Sequence, residues 1–395
     1  MDNEINVLSL FDGMSCGQIA LNNLGININK YYAAEIDPHA IKVTKHNFPN
    51  TIHLGDVTKV KAKDLDCKID LLIGGSPCQG FSFAGKQLNF NDPRSALFFE
   101  FVRLWKEIKE INPNAKFMLE NVNMKREYLR VISEHLQVFP VNINSNLVSA
   151  QNRNRWYWSN IKTKDVGLFS ELWTDFPQPK DKGILLKDIL QPESEVDDKY
   201  YLSAEAISSI FFNPNNLQKS NINPDKSNPL QSPGNSCGIY KGMSAVVTKN
   251  YIQWDSTGNN HKSQYDRAYL KDGQVGALLA SDSQGKFILE VSEATTKGYT
   301  EIKPGECVDL ENPKSKTRRG RKLENKSNCL MATTTQQFKY TEDMRLRRLT
   351  PIECERLQTV PDNYTACVSD SQRYKMLGNG WTVKVIEHMF KYLEL

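Results

Sequence analysis

Residues 74–82 read GGSPCQGFS and residues 117–122 read FMLENV. The first sets one thiol, Cys78, in a short turn-rich loop directly after the apolar run at 69–73; the second closes another apolar run with Glu120 and Asn121. A thiol with an ordinary pKa near ~8.5 is a small fraction thiolate at neutral pH, so a nucleophilic Cys78 needs a helix start or nearby cations to activate it. A carboxylic acid beside a thiolate forms a complementary pair. The acid donates a proton to a ring nitrogen while sulfur adds to the adjacent ring carbon, which makes a pyrimidine a carbon nucleophile. The other reading of a free cysteine is an inert packed side chain, and that is the expectation for Cys16, Cys67, Cys354 and Cys367. Cys78 differs by following a strand C-terminus, the edge at which open α/β sheets place ligands, between Ser76-Pro77 and Gly80.

A second group of residues points to a cofactor. The turn at 11–21, FDGMSCGQIAL, contains Phe11, Asp12, Gly13, Ser15 and Gly17 and opens a helix, although it is not G-x-G-x-x-G and alone is a weak signal. Glu35 closes the next apolar run about twenty residues on, where an acid can accept from ribose hydroxyls, and Ile36 follows it. Asp56, followed by Val57, ends LGDV and is placed to receive a base amino group. Each acid taken singly is equally a helix cap or a solvated loop residue. Three at successive strand ends suit a neutral or cationic nucleoside better than a pyrophosphate, which carboxylates repel, and so favour S-adenosylmethionine over NAD.

The elements that must hold these residues follow from periodicity. NVLSL, YYAAEI, IDLLIGG and FMLENV read as buried strands, with helical segments between them at LNNLG, HAIKVTKHNF, SALFFEFVRLWKEIKEI and MKREYLRVISEHL. That alternation predicts an α/β fold with a mostly parallel, doubly wound sheet. Leu97, Phe98, Phe101, Leu104, Trp105 and Ile108 recur every three or four residues and form a core stripe. From about Lys162 the chain turns rich in Asn, Ser, Pro and Gly, which suits an irregular domain with a few hairpins. Helices resume at Thr350-Pro351 and in the final TVKVIEHMFKYLEL, whose apolar face is expected to pack back on the first domain.

A chain of 395 residues is long enough for two domains. With a formal net charge of only +4, a polyanion must be met by a local basic surface. The eight cysteines form no C-x-x-C pair, so neither a zinc site nor a disulfide framework is expected, and no metal is called. The first residues lack a basic stretch before an apolar one, and no apolar run approaches the ~18 residues of a spanning helix. A cytosolic protein without a membrane partner is expected.

PCQGFS, LENV, the D-G-x-x-x-G turn, QNRNR at 151–155, RRLTPIECERLQTVPDNY and GNGWTV occur in the same order as the conserved blocks of the DNA (cytosine-5) methyltransferases, a family this chain resembles over roughly 5–160 and 345–395. It departs from the pattern at GNGWTV, where many bacterial members have GN-S/A-V, and at Ile36, where several carry an aromatic. The resemblance implies a Rossmann-like S-adenosylmethionine-dependent methyltransferase fold with an inserted, irregular β-rich target-recognition domain. It implies that Cys78 attacks C6 of a flipped cytosine, that Glu120 binds and protonates N3, and that C5 takes the methyl group, leaving S-adenosylhomocysteine. The Ser76 carbonyl would face the exocyclic amine, with Arg155 and less directly Arg153 beside the cytosine O2 and the catalytic loop. Phe11 would stack on adenine, Glu35 hold the ribose, and Asp56 with Val57 frame the adenine edge. Asp12, Gly13, Ser15, Gly17, Ile36, Pro77 and Asn379 complete the cofactor expectation, Asn379 helping to close the site.

The domains expected are 1–162 (catalytic), 163–344 (target recognition) and 345–395 (a segment returning to the catalytic domain). Double-stranded DNA is the expected partner, contacted by Ser76, Gln79, Ser82, Lys86 and Arg94 near the catalytic loop. Arg318, Arg319 and Arg321 in the basic run KSKTRRGRK, together with Arg345, Arg347 and Arg348, are the phosphate contacts expected further on. A monomer is expected, in a bacterial cell or phage-infected host, with a restriction endonuclease acting on the same site as a further partner. Two other functions share these motifs. A tRNA cytosine-5 methyltransferase has the same thiol and cofactor, but the large middle region favours duplex DNA and the Cys-Phe-Thr tripeptide associated with the RNA branch is absent. A catalytically silent DNA-binding regulator would have lost Cys78 or Glu120, and both are present. An NAD-dependent oxidoreductase is disfavoured by the first turn.

Overall fold

Strands buried on both faces have no polar side to show, so they appear in a sequence as near-continuous apolar runs. The computed structural model describes residues 4–76, 96–167, 170–202, 289–310, 321–323, 325–330, 337–341 and 346–394. Its central sheet contains β1 (Ile5–Leu10), β2 (Ile28–Ala34), β3 (Ile52–His53), β4 (Leu71–Gly75), β5 (Lys116–Val122), β6 (Val141–Asn144) and β7 (Asn154–Ser159). The spatial order is β3-β2-β1-β4-β5-β7-β6. The first five strands pair in parallel, whereas β7 runs antiparallel between β5 and β6. Strand order reverses on either side of β1, which creates the switch point where such sheets bind ligands.

The helices are α1 (Cys16–Asn23), α2 (Pro38–Asn47), α3 (Ala96–Ile111), α4 (Arg126–Leu136), α5 (Pro351–Leu357), α6 (Asp370–Asn379) and α7 (Val383–Phe390). Asp37 caps α2 by accepting from His39 N, with Pro38 at the first helical position where its missing N–H costs nothing. On α3, Phe98, Phe101, Leu104, Trp105 and Ile108 are buried in one core cluster with Leu8, Leu72 and Phe117, and Leu97 packs against its edge. The expected stripe is therefore scaffold. The closing helix α7 packs on α1, Asn23 Nδ2 donates to Glu387 Oε1 at 2.6 Å, and Tyr364 OH donates to Met14 O at 2.8 Å. Helix α6 was not expected from periodicity, because its sequence DSQRYKMLGN carries no apolar stripe.

The chain divides into two compact units. The first comprises Met1–Ile189, Cys329–Thr334 and Pro351–Leu395. It takes in the hairpin β8 (Thr163–Val166) with β9 (Glu171–Thr174), because Phe139 N and Thr174 N bond Leu172 O and Phe139 O and tie that hairpin to the chain just before β6. The second comprises Leu190–Asn328 and Thr335–Thr350. Its described strands are all antiparallel: β10 (Leu289–Ser292) with β11 (Tyr299–Ile302), and a small sheet of β12 (Cys307–Asp309), β13 (Lys322–Leu323), β14 (Gln337–Tyr340) and β15 (Leu346–Arg348) in the order β13-β12-β14-β15. This is the β-rich addition to a Rossmann-like core. Among the described residues no helix is long and apolar enough to cross a membrane.

Candidate active site

The turn after β1 bends through the left-handed region at three residues, Phe11, Gly13 and Ser15. A conformation that is costly for Phe and Ser must be held by its surroundings. Glu35, at the end of β2, supplies one clamp: Oε2 accepts from Gly13 N at 2.8 Å, and Oε1 accepts from Ile36 N and Asp37 N, each at 2.8 Å. Three backbone donors occupy most of the roughly four acceptor positions of a carboxylate and leave room for an external hydroxyl. Asp12 supplies a second clamp. Its Oδ1 accepts from Tyr31 OH at 2.9 Å and its Oδ2 from Ser15 Oγ at 2.7 Å. Desolvation pushes the Asp12 carboxyl up to about 6, with the neighbouring Glu35 charge acting in the same direction and the bonds from Ser9, Ser15 and Tyr31 opposing it.

Asp56 has the helix-cap role that a single acid can have. Its Oδ1 accepts from Thr58 N at 3.0 Å and Thr58 Oγ1 at 2.9 Å, and these two bonds hold its carboxyl below the usual value. Val57 is buried in the core cluster, with Phe11 packed against that cluster's edge. Ile36 is 74% exposed beside Glu35, and open space lies before Gly13 and Gly55. A nucleoside with a cationic sulfonium and no phosphate matches this set of three carboxylates, an exposed apolar side chain and space at two left-handed glycines. The residues present thus fit S-adenosylmethionine. Gly17 serves packing, since a Cβ there would lie 2.3 Å from Ile73 Cδ1 and 3.2 Å from Tyr31 OH.

Beyond the switch point, Ser76 and Asn121 are buried side by side, and Asn121 Nδ2 donates to Ser76 Oγ at 3.1 Å. Glu120 is buried at the end of β5, opposite Tyr157 of β7. The diagonal neighbour on that face is Arg155, whose Nε lies 2.9 Å from Glu120 Oε1. Desolvation works against the Arg155 charge, but Cys329, Glu120 and Tyr157 outweigh it and raise its pKa. Arg153 is buried too, donating from Nη1 to Gly378 O at 3.2 Å. Asn379 is exposed at the end of α6.

The motifs did not single out two neighbours of this end. Gly75 admits the Trp381 indole: a Cβ at Gly75 would stand 2.8 Å from Trp381 Nε1 and 3.1 Å from Glu120 Oε2. The W of GNGWTV was a signal for it, noted only as a departure from the family pattern. Cys329 Sγ lies 3.0 Å from Arg153 Nη1 and 3.5 Å from Arg155 Nη2, and nothing in its local sequence announces this.

Pro77, Cys78, Gln79, Ser82, Lys86, Arg94, Arg318, Arg319 and Arg345 lie outside the described residues. Two of the expected phosphate contacts are corrected. Arg321 is 1% exposed, its Nη1 donating to Asp309 O at 3.2 Å, and Arg347 is fully buried with its Nε 3.1 Å from Glu193 Oε2. Both spend their charge inside the second unit. Arg348 is exposed on the same strand.

Residues 5–394 match the model of the C-5 cytosine-specific DNA methylases. The orphan methyltransferase M.SPRI of Bacillus phage SPR is 30% identical, covering 99% of this chain and 97% of that protein. The type II methyltransferase M.HgiCI of Herpetosiphon aurantiacus is 27% identical over 97% of this chain and 95% of its own. Among solved structures, the Entamoeba histolytica methyltransferase EhMeth superposes with a TM-score of 0.54 at 15% identity, covering 99% of this chain and 98% of that one, a likeness of fold. With the family model spanning the sheet, the acids at its strand ends and the closing helices alike, the chain belongs to the C-5 cytosine-specific DNA methylase family and is a DNA cytosine-5 methyltransferase.

Proposed function

We propose that this chain methylates C5 of a cytosine extruded from double-stranded DNA, with Cys78 as nucleophile and Glu120 as the acid at N3. The observation that carries the reading is the mostly buried Glu120–Arg155 pair at the same C-terminal edge of the sheet as the Asp12 and Glu35 clamps. A ring inside a duplex is beyond the reach of a side chain, so the base must leave the stack at a cost of a few kcal/mol. The Cys78 thiolate then adds to C6 while Glu120, in its acid form, gives a proton to N3. The electron pair displaced from the C5–C6 bond becomes available at C5. Arg155 places a fixed positive charge beside the ring as negative charge develops there, and Arg153 holds its neighbour in place.

Glu35 would hold the cofactor ribose, Asp56 the base amino group, and Phe11 and Ile36 the faces of the adenine. S-adenosylmethionine, when bound there, supplies an electrophilic methyl group. Loss of the C5 hydrogen as a proton to water, departure of the Cys78 thiolate from C6 and return of the N3 proton to the Glu120 carboxylate restore the aromatic ring and free the enzyme. Within the expected 163–344 region, target recognition is assigned to the part that forms the second unit, and the relatives named as type II methyltransferases support a restriction endonuclease reading the same site.

The test is mass spectrometry of nucleosides from unmethylated plasmid incubated with S-adenosylmethionine and the parent or Cys78→Ser protein. Formation of 5-methylcytosine by the parent alone is expected. Methylation of tRNA and not of plasmid would replace the substrate, and full activity of Cys78→Ser would remove the nucleophile.

A further inference from the structure

The Glu120–Arg155 contact is short but unfinished. Arg155 Nε lies 2.9 Å from Glu120 Oε1, yet its N–H is not aimed at that oxygen and makes no hydrogen bond, so the two groups meet as charges only. A small rotation of the guanidinium would complete the bond. What holds it back is at its far side: Nη1 donates to Asn154 O at 2.9 Å, and Nη2 reaches Cys329 Sγ at 3.5 Å. The same sulfur accepts from Arg153 Nη1 at 3.0 Å, and that nitrogen also reaches Gly378 O in the closing segment. One sulfur thus joins both arginines of the QNRNR block. Desolvation opposes ionisation of Cys329, but the charges of Arg153 and Arg155 outweigh it and hold the thiol below its ordinary value, which strengthens sulfur as an acceptor.

We propose that Cys329 is a positioning residue for the reaction: its sulfur gathers Arg153 and Arg155 and fixes how the Arg155 guanidinium is presented to Glu120. The inference rests on the reading of Glu120 and Arg155 given above. Without the sulfur, Arg155 Nη2 loses a partner in a mostly buried position and the guanidinium turns towards the carboxylate, the nearest acceptor of opposite charge. The acid is then engaged by its own neighbour when the base arrives. Binding of cofactor and DNA does not depend on that rotation, so the loss falls on turnover.

The experiment compares the parent with Cys329→Ala, Cys329→Ser, Arg155→Ala, the double variant Cys329→Ala/Arg155→Ala, and Glu120→Gln. Single-turnover and steady-state methylation of plasmid DNA are read, with cofactor binding by calorimetry and melting temperature as checks on the fold. Expected is a fall in kcat of about tenfold for Cys329→Ala with KM for DNA and cofactor within about twofold, since only the presentation of a reacting group changes. Cys329→Ser, which keeps an acceptor, recovers most of it. The double variant is no slower than Arg155→Ala alone, because residues acting through one another are not additive. Cys329→Ala at the parental kcat, or a double variant slower by the product of both losses, overturns the inference while an inactive Glu120→Gln leaves the reading of the site standing. A fully active Glu120→Gln overturns both. If Cys329→Ala fails to fold, Cys329→Val, which fills the site without an acceptor, replaces it alone and in the Arg155→Ala background and decides by the same non-additivity.

Discussion

At the end of β2, Glu35 is held by three backbone N–H groups that lie within its own strand end and the facing turn. At the end of β5, Glu120 meets a guanidinium from a strand running the other way, and that guanidinium is steadied by a sulfur 174 residues further along the chain. The first carboxylate is locked by bonds that form whenever the two strand ends are adjacent. The second depends on pairing register and on a distant segment, and it meets its partner as a charge without a completed hydrogen bond. The difference teaches a division of labour. On the proposed reading, the end that binds cofactor profits from complete hydrogen bonding, whereas the end that would move a proton keeps its acid incompletely bonded until the substrate arrives.

Substitutions test this contrast, starting with the largest effect. Glu120→Gln is expected to cut kcat by about 10²–10⁴, the range of a lost general acid, while cofactor affinity by calorimetry stays within about twofold. A comparable loss of cofactor affinity would erase the distinction between the two ends. Glu35→Gln is expected to do the converse. It leaves one oxygen for three backbone donors, at a cost of about 1–3 kcal/mol for each buried group left unpaired. Cofactor affinity should fall about tenfold, with kcat at saturating cofactor changed much less, and a kcat loss dominating instead would break the contrast.

Asp12 gives a pH signature. In the folded chain its carboxyl titrates at about 6 against an ordinary 3.8, so the folded state binds that proton more tightly. Its contribution to stability is then full below the ordinary value and is lost as pH rises to about 6. Asp12→Asn cannot ionise, and its melting temperature should gain a few degrees on the parent over that interval and hold the gain above it. A constant difference across the interval would show that Asp12 is not strained when charged. The smallest effect is expected of Asp56→Asn. Asn caps a helix as well as Asp does, so melting should not change, while cofactor affinity drops about threefold if the second oxygen receives the base amino group. Unchanged affinity would make Asp56 a cap and nothing more.

The binding end was legible from the sequence because its parts are local. Apolar runs marked the buried strands, and the acids that closed them stand where the sheet edge puts them. At the other end, Glu120 and the two arginines were legible as motifs, but not that β7 would run antiparallel and bring Arg155 diagonally to Glu120. Cys329 carried no signal, because its partners come from 174 and 176 residues away. The basic residues misled for a related reason. Arg321 and Arg347 were read as surface charge from composition, yet both are buried, Arg321 against the Asp309 carbonyl of β12 and Arg347 against the Glu193 carboxylate from outside the sheet.

The antiparallel entry of β7 also limits how the gene can change length. Its register sets Val122 opposite Arg155 and Glu120 opposite Tyr157. Deleting one codon from the turn before β7 would rotate Arg155 to the opposite face of the sheet. Deleting two would restore the face but carry the guanidinium about 7 Å along the strand, beyond reach of the carboxylate. Insertions and deletions compatible with activity are therefore confined to segments that leave this pairing untouched, such as the connection between β8 and β9.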